Sequence, residues 1–160
     1  MSKIINDRMF ARMDGDFVVF MIGMRINSFW KIHKWFPVIL SMPKMIKELY
    51  ANKDYGFLNM NNWFGRTTIM VQYWRSFEDL DAYAKNKDLV HLPAWRIFNL
   101  KIRNSGAVGI WHETYKVSAG NYENIYVNMP KFGLSKAANL LSVTEIKNDA
   151  TQRMENKNNL

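Results

Sequence analysis

A chain of 160 residues, 48% of them hydrophobic, can form one domain with a real core, burying roughly two-thirds of its unfolded surface, and is not wholly disordered. It has no cysteine, which excludes a disulfide scaffold, a thiol nucleophile, an iron–sulfur cluster and Cys-ligated zinc. The net charge of +8 sits around two segments, Arg25 to Lys53, where six basic residues face one Glu, and Arg96, Lys101 and Arg103; without a long Lys/Arg run it suits a basic face or a pocket for an acidic small molecule, not nucleic acid.

Residues 1–15 mix charged and apolar positions and read as an N-terminal arm with no signal-type run. From Phe17 to Ile26 both alternating sets are apolar, as in a strand covered on both faces. Asn27 to Lys34 reads as a loop, and Trp35-Phe36-Pro37 opens a helix with Pro37 in its first turn. Its buried stripe is Phe36, Ile39, Leu40, Pro43, Ile46 and Tyr50, with a kink expected at Pro43.

Phe57 to Phe64 and Arg66 to Trp74 read as two strands around Gly65. Ser76-Phe-Glu-Asp79 is a capping box opening a helix with Phe77, Leu80, Tyr83 and Ala84 on one face. Asp88 is the expected cap of a second helical stretch through Leu92, Trp95, Phe98 and Ile102. Ala107 to Val117 is a strand with Val108, Ile110, His112 and Thr114 on one face and Trp111, Glu113, Tyr115 and Val117 on the other. Tyr122 to Met129 reads as a short fifth strand, and residues 142–160 as a polar, fraying tail. No apolar run approaches the ~20 residues that span a bilayer, so a cytoplasmic protein is expected.

The order strand, helix, strand, strand, helix, strand over residues 16–141 defines an α+β, ferredoxin-like βαββαβ sheet with its helices on one face. The other face stays apolar and aromatic, and a second copy is its expected cover. That would give a homodimer, a dimeric α/β barrel, with an enclosed cavity.

Tyr73-Trp-Arg-Ser-Phe-Glu-Asp-Leu80, Tyr83 and His91-Leu-Pro-Ala-Trp95 resemble the strand–helix–His segment of the antibiotic-biosynthesis-monooxygenase-like superfamily of dimeric α/β barrels. Phe29-Trp-Lys-Ile-His-Lys-Trp35, Val108-Gly-Ile-Trp-His-Glu-Thr-Tyr115 and Tyr126-Val-Asn-Met-Pro130 resemble a monooxygenase-like branch similar to a fungal fumagillin-pathway oxygenase. The resemblance covers residues 16–140. It implies the barrel fold but not one reaction, since the superfamily includes cofactor-free oxygenases, haem-degrading proteins and haem-dependent aldoxime dehydratases.

Three histidines are the side chains that titrate near neutrality unaided. The resemblance puts His91 where haem-binding relatives carry an axial ligand; it is equally a base, or a helix-end His bonded to a carbonyl. His112 is a base if its strand face lines the cavity, and a core His if that face meets the helices. His33, between Lys31 and Lys34, reads as a lid or surface residue. One of Arg25, Arg66 and Arg75 is expected to hold a carboxylate or enolate, the others being strand-end surface charges, with Trp74, Trp95, Trp111 and Tyr115 as walls of a substrate cavity. No His pair has metal-ligand spacing, and no glycine-rich phosphate loop or Gly-x-Ser-x-Gly elbow is present.

The expected function is an oxygenase acting on a hydrophobic, conjugated or aromatic small molecule without an organic cofactor. A haem b enzyme with His91 as axial ligand is the alternative, and a non-enzymatic binder of a hydrophobic ligand is the third.

Overall fold

The computed structural model describes residues 3–143, together with 150 and 154. Its elements in chain order are β1 (Ile5–Arg12), β2 (Phe17–Ile26), α1 (Ile32–Ala51), β3 (Phe57–Trp63), β4 (Ile69–Trp74), α2 (Phe77–Lys85), α3 (His91–Lys101), β5 (Val108–Val117), β6 (Tyr126–Met129) and β7 (Asn139–Ser142). Four strands form an antiparallel sheet in the order β3-β4-β2-β5. With α1 between β2 and β3, and α2–α3 between β4 and β5, this is the ferredoxin-like arrangement.

The sheet register separates the two faces. Ile22 lies opposite both Met70 and His112, and Val18 opposite Trp74, so Val18, Phe20, Ile22 and Met24 share a face with Met70, Gln72, Trp74, Ile110 and His112. This face meets the helices. Val18, Leu49, Phe57, Trp74, Leu80 and Tyr83 form one core cluster there, and Met24, Ile26, Ile102, Ala107 and Val108 a second. The doubly apolar pattern of β2 is therefore satisfied by helices on one side and by a second layer on the other.

That second layer comes from the chain itself. The segment read as an N-terminal arm contains β1, the central strand of a three-stranded sheet with order β6-β1-β7. Ala11, Phe17 and Leu134 are buried between the two sheets, with Val19, Tyr73, Val117 and Tyr126 packed against them. The fifth strand is shorter than the Tyr122–Met129 reading. Tyr122 and Asn124 instead use their side chains, Tyr122 Oη accepting from Met13 N at 2.6 Å and Asn124 Oδ1 from Ala11 N at 2.6 Å. Most of the tail from 142 lies outside the described residues.

Helix boundaries also differ. The 27–34 stretch read as a loop turns early, Lys31 N donating to Ser28 O at 3.2 Å, and α1 begins at Ile32. Trp35 secures this start by donating its indole N–H to Phe29 O at 3.0 Å. The helix runs through both Pro37 and Pro43, held by the packing of Val38 and Ile39 against the second core cluster. Ser76 accepts from Asp79 N at 3.0 Å as the capping box requires, but the Asp79 carboxylate bonds Ser76 Oγ and Arg75 instead of reaching back to the cap backbone. Asp88 does not cap α3: Val90 is the N-cap, without a side-chain cap bond.

Candidate functional site

Two apolar cavities lie between α1–α3 and the sheet. The first, about 120 Å³, has Phe20, Gln72 and Trp74 on its floor and Met45, Tyr83 and His91 among its walls. The second, about 170 Å³, reaches Asn62, Trp63 and Phe64 at the end of β3. Ile22, Val38, Met42, Ile46, Met70 and Ile110 line both, so the cavities adjoin. A wider groove of about 360 Å³ borders the first cavity at Trp95, Phe98 and Ile110 and carries Arg103. Flexible methionines at Met42, Met45 and Met70 let such walls adapt to a ligand's shape.

His91 opens α3 and half-buries its ring against the first cavity. Its Nδ1 lies 3.1 Å from Ala84 O. A carbonyl can only accept, so Nδ1 carries the proton of the neutral ring and Nε2 keeps the lone pair. The Tyr83 ring lies 6.0 Å from the His91 ring, and its hydroxyl donates to Glu48 Oε1 at 2.9 Å. Burial and the Glu48 carboxylate push the Tyr83 hydroxyl well above its usual ionisation range, so it stays protonated. Glu48 also accepts from Val90 N at the start of α3, tying α1, α2 and α3 together beside the histidine.

Gln72 is the polar group of the floor. It is buried, accepts from Trp74 Nε1 at 2.8 Å and points Nε2 at Met70 Sδ, 2.9 Å away. A thioether is a weak acceptor, so this amide donor is available to a stronger one.

The expected site residues divide into two groups. The structure brings His91, Trp74 and Trp95 together on the first cavity. His112 shares the helix-side face but is exposed beyond Phe20, whose ring is 5.8 Å away. Trp111 and Tyr115 lie on the opposite face, Tyr115 donating to Glu113 Oε2 at 2.6 Å. Arg25, also on that face, donates to Thr67 Oγ1 at 2.7 Å, and Arg66 donates to Ile26 O at 3.2 Å with its guanidinium over the Phe29 ring. His33 is an exposed residue of α1. Both cavities thus lie on the helix side of the sheet, whereas Arg25, Trp111 and Tyr115 are on the other face, where a second copy was expected to enclose a site.

Sequence reasoning missed Gln72, Tyr83 and Glu48 as site residues. Strand alternation Met70, Gln72, Trp74 carried a signal for the first, because a polar residue between two apolar ones on a core-facing row calls for a partner.

Haem does not fit these residues. His91 has the anchored Nδ1 that an axial ligand uses. However, cavities of about 120 and 170 Å³ are small for a rigid macrocycle, and no Arg or Lys among the described residues lines either of them. Among the described residues no group of three His, Asp or Glu is placed to hold a metal ion.

The fold and this site define a ferredoxin-like α+β domain with a His-bearing apolar cavity beneath its helices. The chain belongs to the Monooxygenase af470-like family, whose model matches residues 17–134. It is similar to Monooxygenase af470 of Aspergillus fumigatus, with 28% identity over 125 residues; the match takes in 71% of this chain but only 43% of that relative's length. Among solved structures it is similar to an aldoxime dehydratase in complex with butyraldoxime, with a TM-score of 0.53 and 13% identity over 85% of this chain and 38% of that one. A protein of Bacteroides fragilis described as dimeric and ferredoxin-like has a TM-score of 0.43 and 11% identity, covering 62% of this chain and 96% of that one.

Proposed function

We propose that the chain is an oxygenase that oxidises a hydrophobic, conjugated or aromatic small molecule in the helix-side cavity without an organic cofactor. The observation that carries the reading is His91, whose Nδ1 is held by Ala84 O so that Nε2 is the free lone pair of a ring on the wall of a largely apolar cavity. In this reading Nε2 removes a proton from an activated CH₂ of the substrate. The resulting carbanion delivers electrons to O₂ and forms the C–O bond of a hydroperoxide. Loss of water then leaves a carbonyl, so that CH₂ and O₂ become C=O and H₂O with the substrate as the reductant. Gln72 Nε2 donates to the oxygen that gains charge on deprotonation, the part expected of an arginine. Arg103 in the bordering groove suits a substrate carboxylate outside the reacting centre.

A carrier of purely hydrophobic ligands would need none of the polar groups gathered at His91, Tyr83 and Gln72, which favours the enzyme. Tyr115 stays exposed on the open sheet face, and we assign a second copy of the chain as the cover of that face.

The test is oxygen uptake with a panel of anthrone-type and 1,3-dicarbonyl compounds. We expect uptake with one atom of labelled dioxygen in the product carbonyl and loss of turnover in His91→Ala. Uptake unchanged by His91→Ala overturns the reading. A Soret band that forms with hemin and vanishes in His91→Ala replaces it with the haem enzyme.

A further inference from the structure

The first three turns of α1 are apolar on both sides. Val38, Ile39 and Met42 point to the cavities, while Ile32, Phe36 and Leu40, four residues apart, are exposed in the chain by itself. A helix that only covers a sheet presents polar residues to water. Immediately upstream Trp30 is 97% exposed, and across the cavity mouth Phe64 is 86% exposed. The patch is continuous: the Arg66 guanidinium lies 5.6 Å from the centre of the Phe29 ring, and Pro43 of α1 faces Trp63 and Phe64 across the second cavity. Its charge has one sign. Lys31, Lys44, Lys47 and Arg66 are exposed, and no Asp or Glu occurs from 25 to 47 or in the β3–β4 connection that carries Arg66.

We propose that this surface, formed by the 27–31 turn, the outer face of α1 and the β3–β4 turn, docks on an anionic lipid surface. Exposed Trp and Phe side chains ringed by Lys and Arg match an interface where apolar groups enter the acyl boundary and cations meet headgroups. A second copy is the poorer occupant, because a two-fold contact would set these cations against themselves, and neither the 25–47 segment nor the β3–β4 connection supplies an acidic residue to pair with them. A protein partner would need a pocket for Trp30, whereas a fluid bilayer needs no matching shape. No helix among the described residues is long and apolar enough to cross a membrane, so the contact is made from one side. The second cavity is lined by Trp63 and Phe64, both exposed in the patch, so an apolar molecule dissolved in the lipid would enter it there without crossing water. The proposal is independent of the chemistry at His91.

The test is co-sedimentation of the full chain with vesicles of phosphatidylcholine alone and of equimolar phosphatidylcholine and phosphatidylserine. We expect binding to the mixed vesicles that weakens as salt is raised. Lys31→Glu with Arg66→Glu should lower affinity on the order of tenfold or more. Trp30→Ser with Phe64→Ser should abolish binding while circular dichroism stays native, since both side chains project into solvent. Absence of wild-type binding to the mixed vesicles, or binding that survives both pairs of substitutions, overturns the proposal. So does a result in which those substitutions change self-association seen by light scattering and leave sedimentation unaltered.

Discussion

The Tyr83 hydroxyl donates to Glu48 Oε1 at 2.9 Å, and the same carboxylate accepts from Val90 N one residue before His91. One acidic side chain on α1 thereby links α2 to the start of α3. Tyr83→Phe removes a donor from a half-buried carboxylate and should cost about 2 kcal/mol in chemical denaturation. Glu48→Gln should cost a similar amount, and in the double variant the two losses should fall well short of additive. Additive losses would mean that the bond contributes nothing.

Turnover should depend on His91 and Gln72 in different ways. His91→Ala removes the base and should lower kcat on the order of 10²–10⁴-fold. Gln72→Leu removes a donor to the developing charge and also leaves the Trp74 indole N–H unpaired in the core, costing about 1–3 kcal/mol of stability. Thermal melts run beside steady-state kinetics separate the two effects. His112→Ala, at an exposed position, should leave both measurements near wild type.

At Gly23 the backbone of β2 lies too close to its neighbours for a side chain. A Cβ there would collide with the Thr68 carbonyl and lie 2.7 Å from Trp111 Nε1. Gly23→Ala should destabilise by about 1–3 kcal/mol, read from the denaturation midpoint, because a backbone carbonyl does not yield as a side chain does.

Alkaline pH should weaken the contact between the two sheets. Burial pushes the Tyr73 hydroxyl up from 10.0 to about 12, with Tyr126 beside it acting in the same direction and the bond at Leu134 opposing. A raised acid holds its proton longer in the native state than in the unfolded chain. The stability it contributes is therefore complete below pH 10 and is lost as pH rises toward 12. Tyr73→Phe should flatten that part of a stability–pH profile, and an unchanged slope would assign the loss elsewhere.

Local patterns were legible where one element determines them. Two apolar alternating sets identified β2 as covered on both faces, and Ser76 marked the start of α2. The faces of β5 followed from strand periodicity alone. Proline rules shortened α1, because they do not know that Trp35 and the core around Val38 and Ile39 hold the helix through both prolines. The first strand was lost because its partners, β6 and β7, lie more than a hundred residues away in the chain.

The sequence by itself determined the ferredoxin-like order, the family motifs, the exclusion of thiol chemistry and His91 as a residue to watch. Tertiary structure decided which side of the sheet holds the cavity, since alternation sorts residues into two faces without saying which one the helices cover. It separated Arg25, Arg66, Trp111 and Tyr115 from the cavity and brought in Gln72, Tyr83 and Glu48, whose meeting depends on three helices packing over one sheet. It also divided the aromatic load among core, inter-sheet layer and an exposed rim, because composition counts apolar surface while only packing says how much of it water still reaches.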